Sequence, residues 1–309
     1  MLIICAIRGT DIGYQITYFV SVFWAKSLLK FRFFVSMKAT PVRTIITADE
    51  PTLREYLHQV WRYRSFVITL AKRDLKIKYA QTALGMAWSV FQPLTAVVVF
   101  SLFFTMLLNV DAGYPYALFV LSGVLCWNLF NYIFSHASTS IMNNQDLVRK
   151  LAFPNIVLPL SKVLVGSVEV LFTLVLMFPM LLWWNMPLRI NMLALPFLLF
   201  FVAIFSLGLS LILAASTMRF RDLHHIIPFL VNFGIWFTPV FYPVSLIPKA
   251  YAHFIYLNPM ASMIGMVRWS LFGDPLEPAS VFGLLITIIL FVVGVIYFKR
   301  VEDKIAELV

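Results

Sequence analysis

Long runs without an ionisable side chain are the feature that most constrains this chain. The first run follows a cluster of five charged residues within 72–78 and continues from Ala80 to Val110. A helix needs about 20 apolar residues to cross the hydrocarbon core of a bilayer, so this run is long enough to do so. Lys and Arg beside such a helix remain on the cytoplasmic side. The pattern therefore predicts a membrane-spanning helix over residues 84–108, with its first end in the cytoplasm.

The composition supports a membrane protein and argues against a soluble domain. Hydrophobic residues make up 61% of the 309 and charged residues 12%, whereas soluble domains average about 25% charged residues. The formal charge of +10 lies in short clusters beside apolar runs, which favours anionic lipid headgroups over nucleic acid as the partner. Cys5 and Cys126 are far apart and lack neighbouring metal-type ligands, so neither a disulfide framework nor a zinc site is predicted.

Apolar runs alternate with basic loops along the chain and predict an all-α integral membrane protein. Sixteen Lys and Arg fall in the segments assigned to the cytoplasm and three in the outer segments, which places both termini in the cytoplasm. Six membrane-spanning helices are expected, over residues 84–108, 116–141, 156–184, 192–217, an irregular fifth within 226–248, and 281–298.

Four regions follow from this reading: an extension at 1–36, a cytoplasmic and interfacial segment at 37–80, a membrane domain at 81–300 and a cytoplasmic tail at 301–309. The extension has an apolar run followed by basic residues, the reverse of a signal peptide. We expect it to arise from a start codon assigned too far upstream, with an extra membrane anchor as the alternative.

Two amphipathic stretches precede the first span. Thr52 and Glu55 have the spacing of a capping box, which predicts a helix start at this point. Residues 66–79 carry a basic face and an apolar face beside a membrane-spanning helix, as expected of a helix that lies in the membrane interface. A solvated helix beside the membrane is the alternative.

The region between the fourth and sixth spans has too many prolines for a continuous helix. Pro228 and Pro239 leave about 11 residues between them, which is about 16 Å of helix and half the hydrocarbon thickness. Asn258–Pro259 then predicts the start of a short helix that ends near Gly273. Interrupted backbone at membrane depth is tolerated only against protein or a water-filled cavity. We therefore expect residues 237–272 to form a partly re-entrant outer hairpin.

No catalytic, nucleotide-binding or metal-binding motif is found. The GxxxxGK[ST] phosphate loop is absent, and the histidines have no helical carboxylate partner, so neither an enzyme nor a bound cofactor is predicted.

Within the third span, Lys162 and Glu169 lie seven residues apart, about 10 Å along a helix. Lys162 is expected to extend to the cytoplasmic interface. Glu169 either makes a structural contact between helices or lines a pathway.

Aromatic residues make up 16% of the chain. Their flat rings could let sugar faces slide along a conduit, whereas an interfacial aromatic belt is the simpler interpretation for most of them. The candidates for lining a pathway are Trp88, Tyr116, Trp127, Glu169 and Trp236.

Six motifs, in this order, resemble the membrane subunit of bacterial ABC exporters for polysaccharides, the permeases of O-antigen, capsule and teichoic acid. They are RDLKIKYAQTALGMAWSVFQPL (73–94), YPYALFVLSGVLCW (114–127), NNQDLVRKLAFPNIVLPLSK (143–162), MRFRDLHHIIPF (218–229), WFTPVFYP (236–243) and LNPM (257–260). The resemblance covers residues 60–304; residues 1–36 depart from it. It implies a homodimer in the bacterial inner membrane that forms one channel. Two copies of a separate ATPase subunit, which bind ATP and Mg²⁺, would supply the energy.

The resemblance also implies roles for particular segments. Residues 66–79 would form a gate helix at the cytoplasmic mouth, and the outer gate would lie within 239–273. The gate residues that would meet the lipid phosphate are Arg73, Lys76, Lys78 and Tyr79. The coupling-helix residues that would dock in the ATPase are Asn144, Asp146, Leu147, Arg149 and Lys150.

The leading hypothesis is ATP-driven export of a lipid-linked polysaccharide, with O-antigen favoured. An ABC exporter for a small lipid or drug is the main alternative. An ion-coupled secondary transporter would need repeated broken helices and several buried acids, whereas the sequence offers one broken region and one deep acid. A glycan-processing membrane enzyme would need clustered acids or histidines in the outer loops, which the sequence lacks.

Overall fold

The computed structural model describes residues 52–80, 85–107, 109, 112–220, 222–248, 251 and 254–308. The predicted extension at 1–36 lies outside these residues. Within them the helices are α1 (Leu53–Arg62), α2 (Arg64–Tyr79), α3 (Trp88–Ser101), α4 (Tyr116–Ser138), α5 (Gln145–Lys150), α6 (Val157–Trp183), α7 (Leu195–Arg219), α8 (Leu223–Gly234), α9 (Pro259–Phe272) and α10 (Ser280–Leu308).

Five helical segments of the described chain are long and apolar enough to cross a membrane. They correspond to the predicted first, second, third, fourth and sixth spans, and their bounds are Gly85–Thr105, Tyr116–Ser138, Val157–Trp183, Ile190–Met218 and Ser280–Glu302. The protein is therefore an all-α, multi-pass membrane protein. In place of a regular fifth span the chain has α8, an apolar helix of only 12 residues.

The helix ends follow the local signals in the sequence. At the start of α1, Glu55 N–H donates to Thr52 Oγ1 at 3.4 Å and Thr52 N–H donates to Glu55 Oε2 at 2.9 Å, which confirms the capping box. At the start of α9, Met260 N–H donates to the side chain of Asn258 at 3.0 Å. Gly273 ends α9 with φ at +80°, a left-handed conformation that glycine adopts without strain.

Helices α3, α6 and α7 pack on α4, which is the most completely buried of the five, whereas α10 packs on α7 and α9. The backbones of α7 and α10 are in direct contact at two glycines. A Cβ added at Gly208 would lie 2.7 Å from Phe291 Cα, and one added at Gly294 would lie 2.4 Å from Gly208 O, so neither position has room for a side chain. Small residues allow this close approach between helices in a membrane, where van der Waals packing drives association.

A second apolar cluster joins the amphipathic helices to the ends of the long ones. Its buried members include Tyr56 of α1, Leu70 of α2 and Phe298 of α10. The Tyr56 hydroxyl donates to the Glu302 carboxylate of α10, which also accepts a hydrogen bond from Asn155 N–H, just before α6. Helix α10 thus runs without interruption through the predicted boundary at residue 300, and its far end is tied to α1.

Candidate functional site

Two ion pairs connect α2 to the intramembrane charges of α6. Asp74 pairs with Lys162, and Lys78 pairs with Glu169. Asp74 and Lys78 lie one turn apart on α2, whereas their partners lie two turns apart on α6. The side chain of Lys162 is 13% exposed and pairs with the Asp74 carboxylate of α2, the predicted interfacial helix. A paired charge is tolerated at membrane depth where a bare one is costly.

Arg73 extends this network toward α5. Its guanidinium donates to Asp74 Oδ1 from Nε at 3.0 Å and from Nη2 at 2.9 Å, and Nη2 also donates to Asn144 Oδ1 at 3.1 Å. The Asn144 amide in turn donates to Ser140 O, two residues beyond the end of α4, at 2.7 Å. The predicted gate helix is therefore hydrogen-bonded to Asn144, the first residue of the predicted coupling helix and the N-cap of α5.

Aromatic groups surround the second ion pair. Lys78 Nζ lies 4.8 Å from the centre of the Tyr132 ring, a distance at which a cation is attracted to the ring face. The Tyr79 hydroxyl hydrogen-bonds Ser89 Oγ at 2.8 Å. Burial raises the pKa of Tyr79, so this phenol is neutral near pH 7. Among the predicted phosphate-binding residues, Arg73 and Lys78 are engaged in ion pairs, and Lys76 is exposed.

Helix α5 presents a charged face to solvent. Leu147 and Val148 pack against the second apolar cluster, which orients the short helix. The opposite face carries three exposed charged residues, Asp146, Arg149 and Lys150. This arrangement suits the docking role that the sequence suggested for α5.

Two cavities adjoin along α4. Each has a volume of about 220 Å³, and both are lined by Gln92, Asn128 and Asn131. We call the two together the amide cleft. Trp88 and the Lys78–Glu169 pair line one half, which we call the inner half and which adjoins α2; Trp127 and Asn232 line the other, which we call the outer half.

Regular helix is interrupted after α8, at residues 235–243, where Pro239 and Pro243 lack the backbone N–H donor. We call residues 235–243 the break. Carbonyl groups freed by this break accept hydrogen bonds from side chains. The donors are Tyr242 OH to Trp236 O at 3.1 Å, Asn258 Nδ2 to Phe237 O at 3.4 Å, Arg268 Nη2 to Val240 O at 3.0 Å, and Tyr116 OH to Phe241 O. Protein groups therefore satisfy backbone that lipid could not.

Arg268 of α9, whose side chain donates to Val240 O of the break, is buried, with 5% of its surface exposed. Its guanidinium lies 3.5 Å from the centre of the Phe119 ring, and Nε donates to Ser122 Oγ at 3.3 Å. Gly123 of α4 brings the two segments together, because a Cβ there would lie 2.5 Å from Val240 O. The break is thus fixed between α4 and α9.

The structure separates the candidates for lining a pathway into two groups. Trp88, Trp127 and Glu169 line the amide cleft. Tyr116 is buried and holds the break through its hydroxyl. Trp236 lies in the break and is 58% exposed, and its ring centre is 6.3 Å from that of Phe100.

Sequence reasoning missed the polar members of these sites. Asn128 and Asn131 are three residues apart in an apolar helix, a spacing that places both on one face and could have marked the cleft. In the sequence, Asp74 is only one member of the charged cluster at 72–78, and Arg268 is only one of the three basic residues in the predicted outer segments. Their partners lie 88 and up to 149 residues away, and no local pattern indicates such contacts.

Comparison with known proteins identifies the family. Residues 66–272 match the family described as ABC-2 type transporter. The chain belongs to this family. The matched region of this ABC-2 type protein contains both ion pairs, the amide cleft, α5 and the broken segment.

Curated relatives agree with this assignment. The chain is similar to two proteins from Klebsiella pneumoniae named O-antigen export system permease protein RfbA, with 27% and 28% identity over 78% of this chain and 94% of each relative. A protein of the same name from Myxococcus xanthus is 28% identical over 80% of this chain and 96% of its own length. The similarity of this ABC-2 type protein to these permeases therefore covers almost their whole length.

Proposed function

We propose that this chain is the membrane subunit of an ATP-driven exporter that moves a lipid-linked polysaccharide of the O-antigen type out of the cytoplasm. The observation that carries the proposal is the amide cleft, a polar cleft among membrane-spanning helices, in a chain whose relatives are named O-antigen export permeases. Polar groups at membrane depth usually mark a substrate pathway. Side-chain amides and tryptophan rings suit a sugar better than a hydrophobic drug.

The exporter would use the chain as a six-span protein in the bacterial inner membrane, with both termini cytoplasmic. In this arrangement α8, the break and α9 take the place of a regular fifth span and form a re-entrant outer hairpin. The side-chain hydrogen bonds to the break support this placement, since they satisfy the backbone without water.

Energy would come from a separate ATPase subunit that binds ATP and Mg²⁺ and docks on α5. The exposed charges at Asp146, Arg149 and Lys150 support a polar docking face. The hydrogen bonds from Arg73 to Asp74 and Asn144 would transmit movement of α5 to α2, the proposed gate helix.

The lipid phosphate would enter beside α2. Lys72 and Lys76 are exposed there, and a basic residue near the membrane surface contributes about 1 kcal/mol of attraction to anionic headgroups. Lys78 would join them when its pairing with Glu169 opens.

Reconstitution tests the proposal. The chain is purified with its ATPase in nanodiscs, and ATP turnover is measured with a polyprenyl diphosphate that carries an oligosaccharide and with the same lipid without sugar. We expect the glycosylated lipid to stimulate turnover several-fold. Stimulation by a hydrophobic drug alone would favour a drug exporter, and transport driven by an ion gradient without ATP would contradict the proposal.

A further inference from the structure

The amide cleft contains hydrogen-bonding side chains that have no partner among the described residues. Within the described residues, the side chains of Gln92, Asn128 and Asn232 form no hydrogen bond, whereas Asn131 Oδ1 accepts one from Ser135 Oγ at 3.0 Å. A primary amide offers two donors and one carbonyl acceptor. We refer to Gln92, Asn128 and Asn232 as the amide row.

The amide row lies where lipid cannot satisfy it. Asn128 is 12 residues from the start of α4, about 18 Å along the helix, within a hydrocarbon core about 30 Å thick. Gln92 and Asn232 are exposed on the surface of the single chain at this level. Polar groups in a membrane face protein, water or a ligand rather than acyl chains. The amide row therefore requires a polar occupant.

The outer half of the cleft has no ionisable side chain in its lining. Amides, the buried rings of Trp127 and Phe241 and aliphatic groups form its walls. The inner half has two charged groups, and they neutralise each other as the Lys78–Glu169 pair. A binding site of this kind disfavours an anion such as a diphosphate and suits an uncharged group that both donates and accepts hydrogen bonds.

We propose that the amide row binds the hydroxyl groups of a neutral glycosyl unit of the cargo, with Trp127 against one face of the sugar ring. Hydroxyls donate and accept hydrogen bonds, as the amides do, and an aromatic ring supplies apolar contact to the C–H face. This inference rests on the proposed function and adds a selectivity: the cleft recognises the sugar and not the lipid diphosphate.

Binding measurements test the inference. The full chain with its ATPase in nanodiscs is titrated with a polyprenyl diphosphate bearing a neutral tetrasaccharide and with the bare lipid diphosphate, and both Kd values are measured. We expect the wild-type protein to bind the glycosylated lipid about tenfold more tightly, which corresponds to one or two net hydrogen bonds. The triple variant Gln92→Leu/Asn128→Leu/Asn232→Leu is expected to lose this preference and to keep its affinity for the bare lipid.

A matched control is available on α3. Thr95 is exposed near Gln92, does not line either cavity, and its hydroxyl donates to Phe91 O at 2.9 Å. Thr95→Val is expected to leave the preference intact. A triple variant that keeps the tenfold preference would show that the amides hold only water. A variant that elutes as a folded complex on size-exclusion chromatography and loses affinity for both lipids equally would show that the amides do not select the sugar. Either result overturns the inference.

The same samples separate this inference from the proposed function. Wild-type preference for the glycosylated lipid without stimulation of ATP turnover would refute ATP-driven export and retain the sugar site. Stimulated turnover in a wild-type protein that binds both lipids equally would retain the exporter and refute the sugar site.

Discussion

The two ionisable residues inside α6 are both neutralised by α2. Asp74 and Lys162 are 12% and 13% exposed at their side chains, and Lys78 and Glu169 are 42% and 19% exposed. The first pair is the more deeply enclosed. Removal of one partner from a buried pair leaves an uncompensated charge, which costs more than the loss of the pair itself.

Lys162→Met is therefore expected to destabilise the protein by about 3 kcal/mol, a typical cost of leaving one member of a buried pair. Thermal unfolding in detergent measures the change, and Lys76→Met, at an exposed lysine of α2, is the control. Equal unfolding temperatures for the two variants would show that the Asp74–Lys162 pair contributes nothing to stability.

Glycine at position 123 is required by contact rather than by conformation. A methyl group there would lie 2.5 Å from Val240 O, on the broken segment. At Gly265 of α9 the nearest atom, on the Tyr256 ring, would be 3.8 Å away, an ordinary contact.

We expect Gly123→Ala to destabilise the protein by about 1–3 kcal/mol through overpacking and Gly265→Ala to stabilise it by up to about 1 kcal/mol through helix propensity. Folded yield on size-exclusion chromatography and the unfolding midpoint report both effects. A Gly123→Ala variant as stable as wild type would mean that the break moves away from α4 at little cost.

At the level of elements, the sequence predicted what local chemistry specifies. The capping box at Thr52, the start of α9 at Asn258 and its end at Gly273 each depend on residues within a few positions, and each is confirmed. Five of the predicted spans match long apolar helices for the same reason.

The sequence could not predict which polar residues meet. Periodicity places Asp74 on one face of α2 and Lys162 on α6, but it gives no information about how the two helices pack. The sequence did not reveal the amide cleft, because a single amide in an apolar helix looks like a tolerated polar substitution. Only the packing of α3, α4 and α8 shows that these amides line one cavity.

Helix α5 is the element through which the proposed ATPase would act. Arg149→Glu/Lys150→Glu is expected to abolish co-purification of the ATPase subunit and its ATP-dependent export, because both side chains are exposed on the docking face. Arg54→Glu/Arg62→Glu on α1 reverses two exposed charges and serves as the control. Loss of the complex in both variants would indicate a general charge effect and would contradict docking at α5.

At the scale of the whole molecule, the cleft opens on a face that carries exposed side chains in the described part of the chain. Gln92 and Asn232 are exposed there, beside Phe91 of α3 and Trp236. A second copy across this face would enclose the polar groups in a common channel and keep them from lipid.

Phe91→Cys is accordingly expected to form a disulfide between two copies in native membranes, in a background in which Cys5 is replaced by Ser. Cys126 is buried and does not interfere. Val175→Cys on the exposed side of α6 (68% exposed) is the control for lipid-facing positions. Cross-linking is read as a dimer band on a non-reducing gel. A monomer band for Phe91→Cys under oxidant would place the channel elsewhere.

The bond between the Tyr56 hydroxyl and the Glu302 carboxylate joins positions 246 residues apart. Residue 302 must be synthesised before this bond can form, so Tyr56 gains its α10 partner only after the helices between them have been made. A chain that terminates before residue 302 consequently leaves α1 without this hydrogen bond to α10.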